Sequence, residues 1–212
     1  MSNAAKLDQA IHHYRGLAPR YEHYTRRINR IRRQAIEALE LREGECVLDA
    51  GCGTGWCIPL LQEAVGGSGR VIAFDPSPEM LAVARDRLGV NSRVELLQGS
   101  AEHVRLSAPV DAILFSYTHD VIRSRAALEN LLAQAKPGAR VAATSTKLYA
   151  KWLVPANWYL RVTHREYITN FEGFEAPWSL LATCLDDFSV RTGPFTQHYV
   201  ARGRVRKDAA AR

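Results

Sequence analysis

The stretch Val47–Gly55 reads VLDAGCGTG, an apolar run that ends in an acidic residue and continues into three glycines at alternate positions. Such a run is typical of a strand that is buried on both faces of a parallel sheet. Gly51, Gly53 and Gly55 let the following turn adopt positive φ and approach a ligand closely. The sequence therefore predicts a buried strand, followed by a tight turn that binds a small cofactor.

This stretch resembles motif I of the class I S-adenosylmethionine-dependent methyltransferases, especially the small-molecule branch that includes the ubiquinone and menaquinone biosynthesis enzymes. The resemblance covers most of residues 35–147. A second segment, Tyr14-x3-Ala18-x2-Tyr21-Glu22, is similar to the Tyr-Asp-x2-Ala-x2-Tyr-Asp start of that branch. The resemblance implies S-adenosylmethionine as the cofactor and methyl transfer to a small, apolar or aromatic acceptor.

A nicotinamide or flavin dinucleotide site is the main alternative, because it also uses a Gly-rich turn between a strand and a helix. That motif spaces its glycines G-x-G-x-x-G, and Trp56 stands where its third glycine would be. The alternate glycines therefore favour the sulfonium cofactor, which has no pyrophosphate for a helix N-terminus to bind.

The length of 212 residues fits one α/β domain. We divide it into an N-terminal helical cap at 1–40 and an S-adenosylmethionine-binding domain at 41–212. The chain has no apolar run long enough to cross a membrane and no signal sequence, which predicts a cytoplasmic protein. The four cysteines lack metal-ligand spacing, so no metal site is expected and all four should be reduced thiols.

The net charge of +6 comes largely from two runs of basic residues, at 26–33 and 202–212. Such runs bind nucleic acid or anionic membranes in some proteins, but we interpret them here as solvated faces. A peripheral membrane contact stays open, and the chain is expected to be a monomer or a homodimer.

Strands and helices alternate along the chain, which predicts a parallel sheet with helices on both faces. The predicted strands are 46–50, 70–75, 93–98, 110–116 and 139–146, with a terminal antiparallel pair at 187–192 and 195–205. The predicted helices are 58–65, 78–88 and 124–135, with two more within 5–40. The resemblance implies a Rossmann-like, seven-stranded sheet of order 3-2-1-4-5-7-6 whose last strand is antiparallel.

Two carboxylates at strand ends are the strongest cofactor candidates. Asp49 would face the amino group of the cofactor, or else only fix the glycine turn. Asp75 can accept hydrogen bonds from both ribose hydroxyls. Because Ser77 can cap the next helix, we expect the Asp75 carboxylate to be free for that role. The full set of predicted cofactor contacts is Tyr21, Asp49, Ala50, Gly51, Gly53, Thr54, Asp75, Pro76, Met80, Ser100, Ala101, Glu102, Phe115 and Ser116. Many relatives have Asp at the position of Ser100. Because this chain has Ser there, we expect adenine recognition to depend more on the backbone near Ala101.

Residues 115–120 follow the fourth strand and read FSYTHD. His119 could deprotonate an acceptor near neutral pH, and Asp120 could orient it. The alternative is that His119 caps the next helix and that Asp120 pairs with Arg123. The segment lacks the Asn/Asp-Pro-Pro-Tyr and Pro-Cys patterns of nucleic-acid methyltransferases, so nucleic acid is not the expected substrate.

An aromatic-rich insertion at about 148–182 would form the acceptor lid. The predicted acceptor contacts are Tyr14, Tyr117, Thr118, Trp152, Trp158 and Trp178. Aromatic walls suit a ring-shaped acceptor or a quaternary amine. The same side chains could instead close the core or enter a membrane interface. Two other functions stay open, namely transfer of the aminocarboxypropyl arm of the cofactor and cofactor binding without catalysis.

Overall fold

The computed structural model describes residues 28–89, 93–164, 171 and 173–206. Seven strands form one sheet of order β3-β2-β1-β4-β5-β7-β6. The strands are β1 (Cys46–Ala50), β2 (Arg70–Asp75), β3 (Val94–Gln98), β4 (Val110–Ser116), β5 (Ala135–Thr146), β6 (Leu185–Arg191) and β7 (His198–Val205).

Helices connect the strands in the order that a doubly wound sheet requires. They are α1 (Asn29–Glu37), α2 (Ile58–Val65), α3 (Pro78–Leu88), α4 (His119–Ile122), α5 (Arg125–Ala133), α6 (Val154–His164) and α7 (Ser179–Cys184). Helix α6 falls within the predicted insertion at 148–182, and α7 begins within it and ends at Cys184.

The pairing of the strands confirms the predicted fold class. Strands β1 to β5 pair in parallel, and β7 is antiparallel to both β5 and β6. Since β2 and β4 lie on either side of β1, the strand order reverses there. The carboxyl ends of parallel strands at such a reversal form the crevice where ligands bind in open α/β sheets.

Alternate residues of the central strands are buried on opposite faces of the sheet, as strand geometry requires. In β1, Val47 packs with α1 and α2, whereas Leu48 and Ala50 pack on the other face. In β4, Leu114 packs on the same face of the sheet as Val47, and Phe115 packs on the same face as Leu48. This alternation places the side chain of Asp49, at the end of β1, on the face that α1 covers.

The structure differs from the predictions mainly at element ends. Strand β5 begins at Ala135 rather than at 139, because the chain enters the sheet directly after α5 ends at Ala133. Strand β7 begins at His198 rather than at 195. Of the two helices predicted within 5–40, only α1 lies in the described part of the chain, so the helical cap at 1–40 stays a prediction. In the described residues, no helix has the length and apolar character that a membrane span needs.

Candidate active site

The turn after β1 requires glycine for its backbone conformation at three positions and for close packing at two of them. All three have positive φ, of 72° at Gly51, 55° at Gly53 and 72° at Gly55. A Cβ at Gly51 would lie 2.5 Å from Cγ2 of Thr118, and one at Gly55 would lie 3.0 Å from Cβ of Ala84 in α3. A Cβ at Gly53 would meet no atom within 4 Å. Gly51 and Gly55 therefore permit packing, whereas Gly53 leaves open space in front of the backbone.

Asp75, at the end of β2, links two backbone segments. Its Oδ2 accepts the Gly53 N–H at 2.9 Å and its Oδ1 accepts the Ser77 N–H at 2.9 Å. Burial raises the pKa of Asp75 to about 6, although these two hydrogen bonds act to lower it. The expectation that this carboxylate is free was therefore incomplete. Each oxygen already has one donor, and the carboxylate keeps further acceptor positions toward a ligand.

The start of α3 agrees with the capping predicted from its sequence. The Ser77 hydroxyl accepts the Met80 N–H at 3.2 Å, and Pro78 occupies the first helical position. A serine cap and a proline at this position satisfy or remove donors that the first turn cannot pair. Met80 is held by this turn, is 3% exposed and faces the same cavity as Asp75.

Asp49 is a buried carboxylate, and neither of its oxygens has a hydrogen-bond partner among the residues that the structure describes. Its side chain is 1% exposed, and burial raises its pKa to about 7, while the charge of Arg32 lowers it and that of Asp75 raises it. A buried group with unmet hydrogen-bonding capacity costs free energy. Asp49 therefore fits a site where a ligand supplies a donor or a positive charge.

The chain turns sharply after β4. Tyr117 adopts a left-handed backbone with φ of 61°, and its hydroxyl lies 3.1 Å from Nδ1 of His198 in β7. The Thr118 hydroxyl is buried without a partner. This turn brings Thr118 against Gly51 in the glycine turn that follows β1, and Tyr117 lines the same cavity.

His119 begins α4 and is held from two sides. Its Nε2 lies 3.3 Å from Oδ1 of Asp120, and its ring packs edge-on against Phe174, with centroids 5.6 Å apart. Burial lowers the pKa of His119, Asp120 raises it and Arg123 lowers it. The net effect favours a neutral imidazole at neutral pH, which is the form that can accept a proton.

The loop after β3 closes the other end of the site. The Ser100 hydroxyl lies 3.0 Å from Nδ1 of His103, and Glu102 accepts a hydrogen bond from the Ser124 hydroxyl at 3.1 Å. The carbonyl of Ala101 accepts from Asn130 at 2.9 Å. Ser100 is therefore already paired within the protein, and the loop is held by helix α5.

One cavity brings most of the predicted site residues together. Those that line it are Asp49, Gly51, Gly53, Thr54, Asp75, Pro76, Met80, Ser100, Ala101, Glu102, Ser116, Tyr117, Thr118, His119 and Asp120. Ala50 and Phe115 do not line it, and both side chains are buried in the hydrophobic core. Tyr14 and Tyr21 lie outside the described residues.

The tryptophans predicted to contact the acceptor do not line this cavity. Trp178 packs on Tyr199, with centroids 4.7 Å apart. Trp152 and Trp158 are 64% and 66% exposed, because α6 buries Leu160 on its inner side and turns Trp158 outward. Phe174 is the aromatic residue of the insertion that reaches His119.

Seven lining residues were missed from the sequence. They are Arg32, Cys52, Trp56, Cys57, Phe74, Ser77 and Val121. Arg32 is the most consequential, because its basic run was interpreted as a solvated face although the side chain is 5% exposed. Its position three and four residues before the buried Ala35 and Ile36 was the available signal, since such spacing puts all three on one helix face.

The cysteines give no sign of reactivity or of metal binding. All four are free thiols, and burial raises the pKa of Cys57 to about 12. Within the described segments, no group of three or more His, Cys, Asp or Glu residues could hold a metal ion.

Comparison with known proteins places the chain in a class. Residues 47–138 match the family model described as a methyltransferase domain. The strand order and this match agree with the resemblance: the chain has the class I S-adenosylmethionine-dependent methyltransferase fold, and residues 47–138 are similar to methyltransferase domains. The cofactor of this class is S-adenosylmethionine.

Two curated relatives are similar to about half of this chain. The ubiquinone/menaquinone biosynthesis C-methyltransferase UbiE of Pseudomonas fluorescens is 36% identical over 117 residues, which are 52% of this chain and 45% of that protein. The demethylmenaquinone methyltransferase of Shouchella clausii is 31% identical over 123 residues, 54% of this chain and 51% of that protein. The chain spans about half the length of these curated relatives.

A solved structure agrees with the fold. The N-methyltransferase NodS of Bradyrhizobium japonicum, in complex with S-adenosylhomocysteine, superposes with a TM-score of 0.60 at 16% identity. The alignment covers 84% of this chain and 90% of that one. At this identity the likeness concerns the fold alone.

Proposed function

We propose that the protein transfers a methyl group from S-adenosylmethionine to a small, apolar or aromatic acceptor. The observation that carries this proposal is the unpartnered carboxylate of Asp49 beside the open space in front of Gly53, at the point where the strand order reverses. A ligand with an ammonium group and a flat heterocycle satisfies both features. The names of the relatives support a quinol or phenol ring as the acceptor class.

We assign the cofactor contacts to residues that line the cavity. Asp49 would accept from the ammonium group, and the turn at Gly53 would pass beneath the thioether chain. Asp75 would accept from the ribose hydroxyls with the acceptor positions that the backbone leaves open. Met80 and Ala101 would pack on opposite sides of the adenine.

The bound cofactor supplies an electrophilic methyl group, so the protein mainly has to position the acceptor. His119 begins α4 shortly after the end of β4, lines the cavity and is held by Asp120 and Phe174. A neutral imidazole there would take the proton of an acceptor hydroxyl as that oxygen or its ring becomes nucleophilic. Burial of His119 supports this role, because burial keeps the imidazole uncharged.

Turnover with methyl-labelled S-adenosylmethionine and a panel of quinols, phenols and amines tests this function. We expect label in an aromatic acceptor and S-adenosylhomocysteine as the second product. Methylthioadenosine as the second product would show transfer of the aminocarboxypropyl arm instead. Cofactor binding without turnover on any acceptor would favour a non-catalytic module.

We also propose a peripheral membrane contact through an exposed aromatic surface, formed by Trp152, Val154, Trp158, Tyr159, Val162 and Phe195, all at least 42% exposed. Lys151 and Arg161 border the cleft beside Trp158, although Glu175 also lies there. Aromatic residues next to basic ones suit the interface of an anionic membrane. Beneath this surface, Leu160 packs with Phe174, which contacts His119. An acceptor in the membrane would therefore approach close to the active site.

Sedimentation with lipid vesicles tests this contact. The protein should bind vesicles that contain anionic lipid, and Trp158→Ala should weaken that binding. Equal sedimentation of both proteins would contradict the proposal. The cytoplasmic location and the oligomeric state stay predictions.

A further inference from the structure

Tyr117 has a strained backbone at the edge of the cavity. Its φ of 61° lies in the left-handed region, which costs a bulky residue free energy that the surrounding structure has to offset. Its N–H donates to the carbonyl of Thr144 in β5 at 2.8 Å. Strain of this kind clusters at sites of ligand binding and catalysis. Because the side chain of Tyr117 lines the cavity, the strain points to a role for this side chain toward a ligand.

His198, at the start of β7, contacts the hydroxyl of Tyr117 through Nδ1, at 3.1 Å. Two threonines fix the backbone of His198. The hydroxyl of Thr196 accepts its N–H at 3.1 Å, and the hydroxyl of Thr192 donates to its carbonyl at 2.9 Å. His198 is not among the described residues that line the cavity. Tyr117 therefore links His198 to the cavity.

The second nitrogen of His198 determines the direction of this hydrogen bond. Nε2 of His198 lies 3.4 Å from Nε2 of Gln197. An amide nitrogen only donates hydrogen bonds, so Nε2 of His198 accepts and the ring proton is on Nδ1. Nδ1–H then donates to the oxygen of Tyr117. The hydroxyl proton of Tyr117 is not used by this hydrogen bond and can be donated to a group in the cavity.

A buried positive charge lies beside the ring of Tyr117. The guanidinium carbon of Arg32 is 5.6 Å from the ring centroid, and the side chain of Arg32 is 5% exposed. A nearby positive charge stabilises negative charge on the phenol oxygen. The hydrogen bond from His198 acts in the same direction, because hydrogen bonds in a chain polarise one another. Tyr117 is thereby a strong donor, suited to an oxygen that carries negative charge.

We propose that Tyr117 donates a hydrogen bond to an ionised oxygen of the methyl acceptor, and that His198 positions Tyr117 for this role. This proposal rests on the proposed function and narrows it, because it requires an acidic hydroxyl on an aromatic ring rather than an amine. His119 takes the proton of that hydroxyl, and Tyr117 stabilises the negative charge left on the oxygen. The oxygen, or a ring carbon conjugated with it, forms the new bond to the methyl group, and the electron pair of the broken sulfur–carbon bond stays on sulfur.

The test uses 4-nitrophenol, an acidic phenol whose ionised form absorbs visible light, and protein saturated with S-adenosylhomocysteine. Wild-type protein should bind the ionised form in preference. Tyr117→Phe keeps the ring and removes the donor, so the pKa of the bound probe should be higher in this variant. We expect a difference of roughly one to two, a tenfold to hundredfold change in the acid dissociation constant, as for a hydrogen bond to a charged group. Absorbance titration over pH measures it.

Other charges in the cavity also act on the probe. The charged side chains and the imidazole that line the cavity beside Tyr117 are Arg32, Asp49, Asp75, Glu102, Asp120 and His119. All of them are the same in wild-type protein and in Tyr117→Phe, so the difference between the two proteins isolates the hydroxyl. Calorimetry with S-adenosylhomocysteine should give equal affinities, which checks that the cavity of the variant is intact.

Tyr199→Phe is the matched control. Tyr199 follows His198 in β7, packs on Trp178 and is not among the described residues that line the cavity. This variant also loses one phenol hydroxyl and should keep the wild-type pKa of the bound probe. His198→Leu should raise that pKa, because Tyr117 loses its donor. His198→Asn should restore the wild-type value, since the amide nitrogen of asparagine can donate in place of Nδ1–H.

Two results would overturn the donor role of Tyr117. One is an equal pKa of the bound probe in wild-type protein and Tyr117→Phe, and the other is an equal rise in Tyr117→Phe and Tyr199→Phe. Equal values in His198→Leu and His198→Asn would overturn the positioning role of His198. Wild-type protein that binds S-adenosylhomocysteine but not 4-nitrophenol would overturn the acceptor class and leave the cofactor site in place. Failure to bind S-adenosylhomocysteine would instead overturn the proposed function.

Discussion

Replacement of Asp49 by asparagine should change how the stability of the ligand-free protein depends on pH. Asp49 is buried without a hydrogen-bond partner, and its pKa is raised from 3.8 to about 7. The carboxyl group of Asp49 therefore binds its proton more tightly in the folded protein than in the unfolded chain. Stability from this source is greatest below the unfolded pKa and is lost as the pH rises toward 7.

The expected magnitude is large. One pKa unit corresponds to about 1.4 kcal/mol, so a rise from 3.8 to about 7 corresponds to about 4 kcal/mol in the free energy of unfolding. Asp75, whose pKa is raised to about 6, also makes the folded protein less stable as the pH rises. It does so in both proteins. The difference between wild-type protein and Asp49→Asn isolates the contribution of Asp49.

Urea unfolding of both proteins between about pH 4.5 and pH 7.5 measures this difference. Wild-type protein should lose stability relative to Asp49→Asn as the pH rises through this window. Parallel curves would refute the account, because they would show that Asp49 is not kept protonated by burial. Binding of S-adenosylhomocysteine near pH 6 should also release more protons from the wild-type protein than from Asp49→Asn, since its ammonium group favours the ionised carboxylate of Asp49.

Three further substitutions test the site. Gly53→Val should abolish binding of S-adenosylhomocysteine and keep the far-UV circular dichroism of a folded protein, because its side chain would enter open space and only the positive φ would be strained; Gly51→Val combines the same kind of strain with a clash against Thr118 and should lower thermal stability more, and the reverse pattern would contradict the geometry. Asp75→Ala should weaken S-adenosylhomocysteine and methylthioadenosine equally, by roughly 1–3 kcal/mol in calorimetry, since both ligands carry the ribose; a loss confined to one ligand would remove Asp75 from the ribose site. His119→Ala should lower turnover without changing cofactor affinity, and an unchanged rate would remove His119 from the reaction. The wild-type rate should fall only at pH values below 6.5, the ordinary pKa of histidine, because burial lowers the pKa of His119.

The parts of the fold that were predicted from sequence are those fixed by local signals. Strand β1 and the turn at Gly51 follow from an apolar run and from glycines that the backbone needs at positive φ. The start of α3 follows from Ser77 and Pro78, whose effects act within one helical turn. The strand order came from the resemblance, since no local pattern determines which strands become neighbours.

The parts that were missed depend on long-range packing. Asp75 was expected to be free, but its partner at Gly53 is brought to it only when β1 and β2 pair. Arg32 was placed among solvated arginines, because a charge count does not show which member of a run faces a cavity. Trp178 was assigned to the acceptor, yet its ring packs on Tyr199 of β7, a strand that follows it in the sequence by about 20 residues.

Calorimetric titration with S-adenosylhomocysteine, beside NAD as a control, tests the central claim most directly. The account predicts micromolar binding of S-adenosylhomocysteine, with no heat from NAD and loss of binding in Gly53→Val. Binding of NAD, or no binding of S-adenosylhomocysteine by folded wild-type protein, would contradict the assignment of the glycine turn.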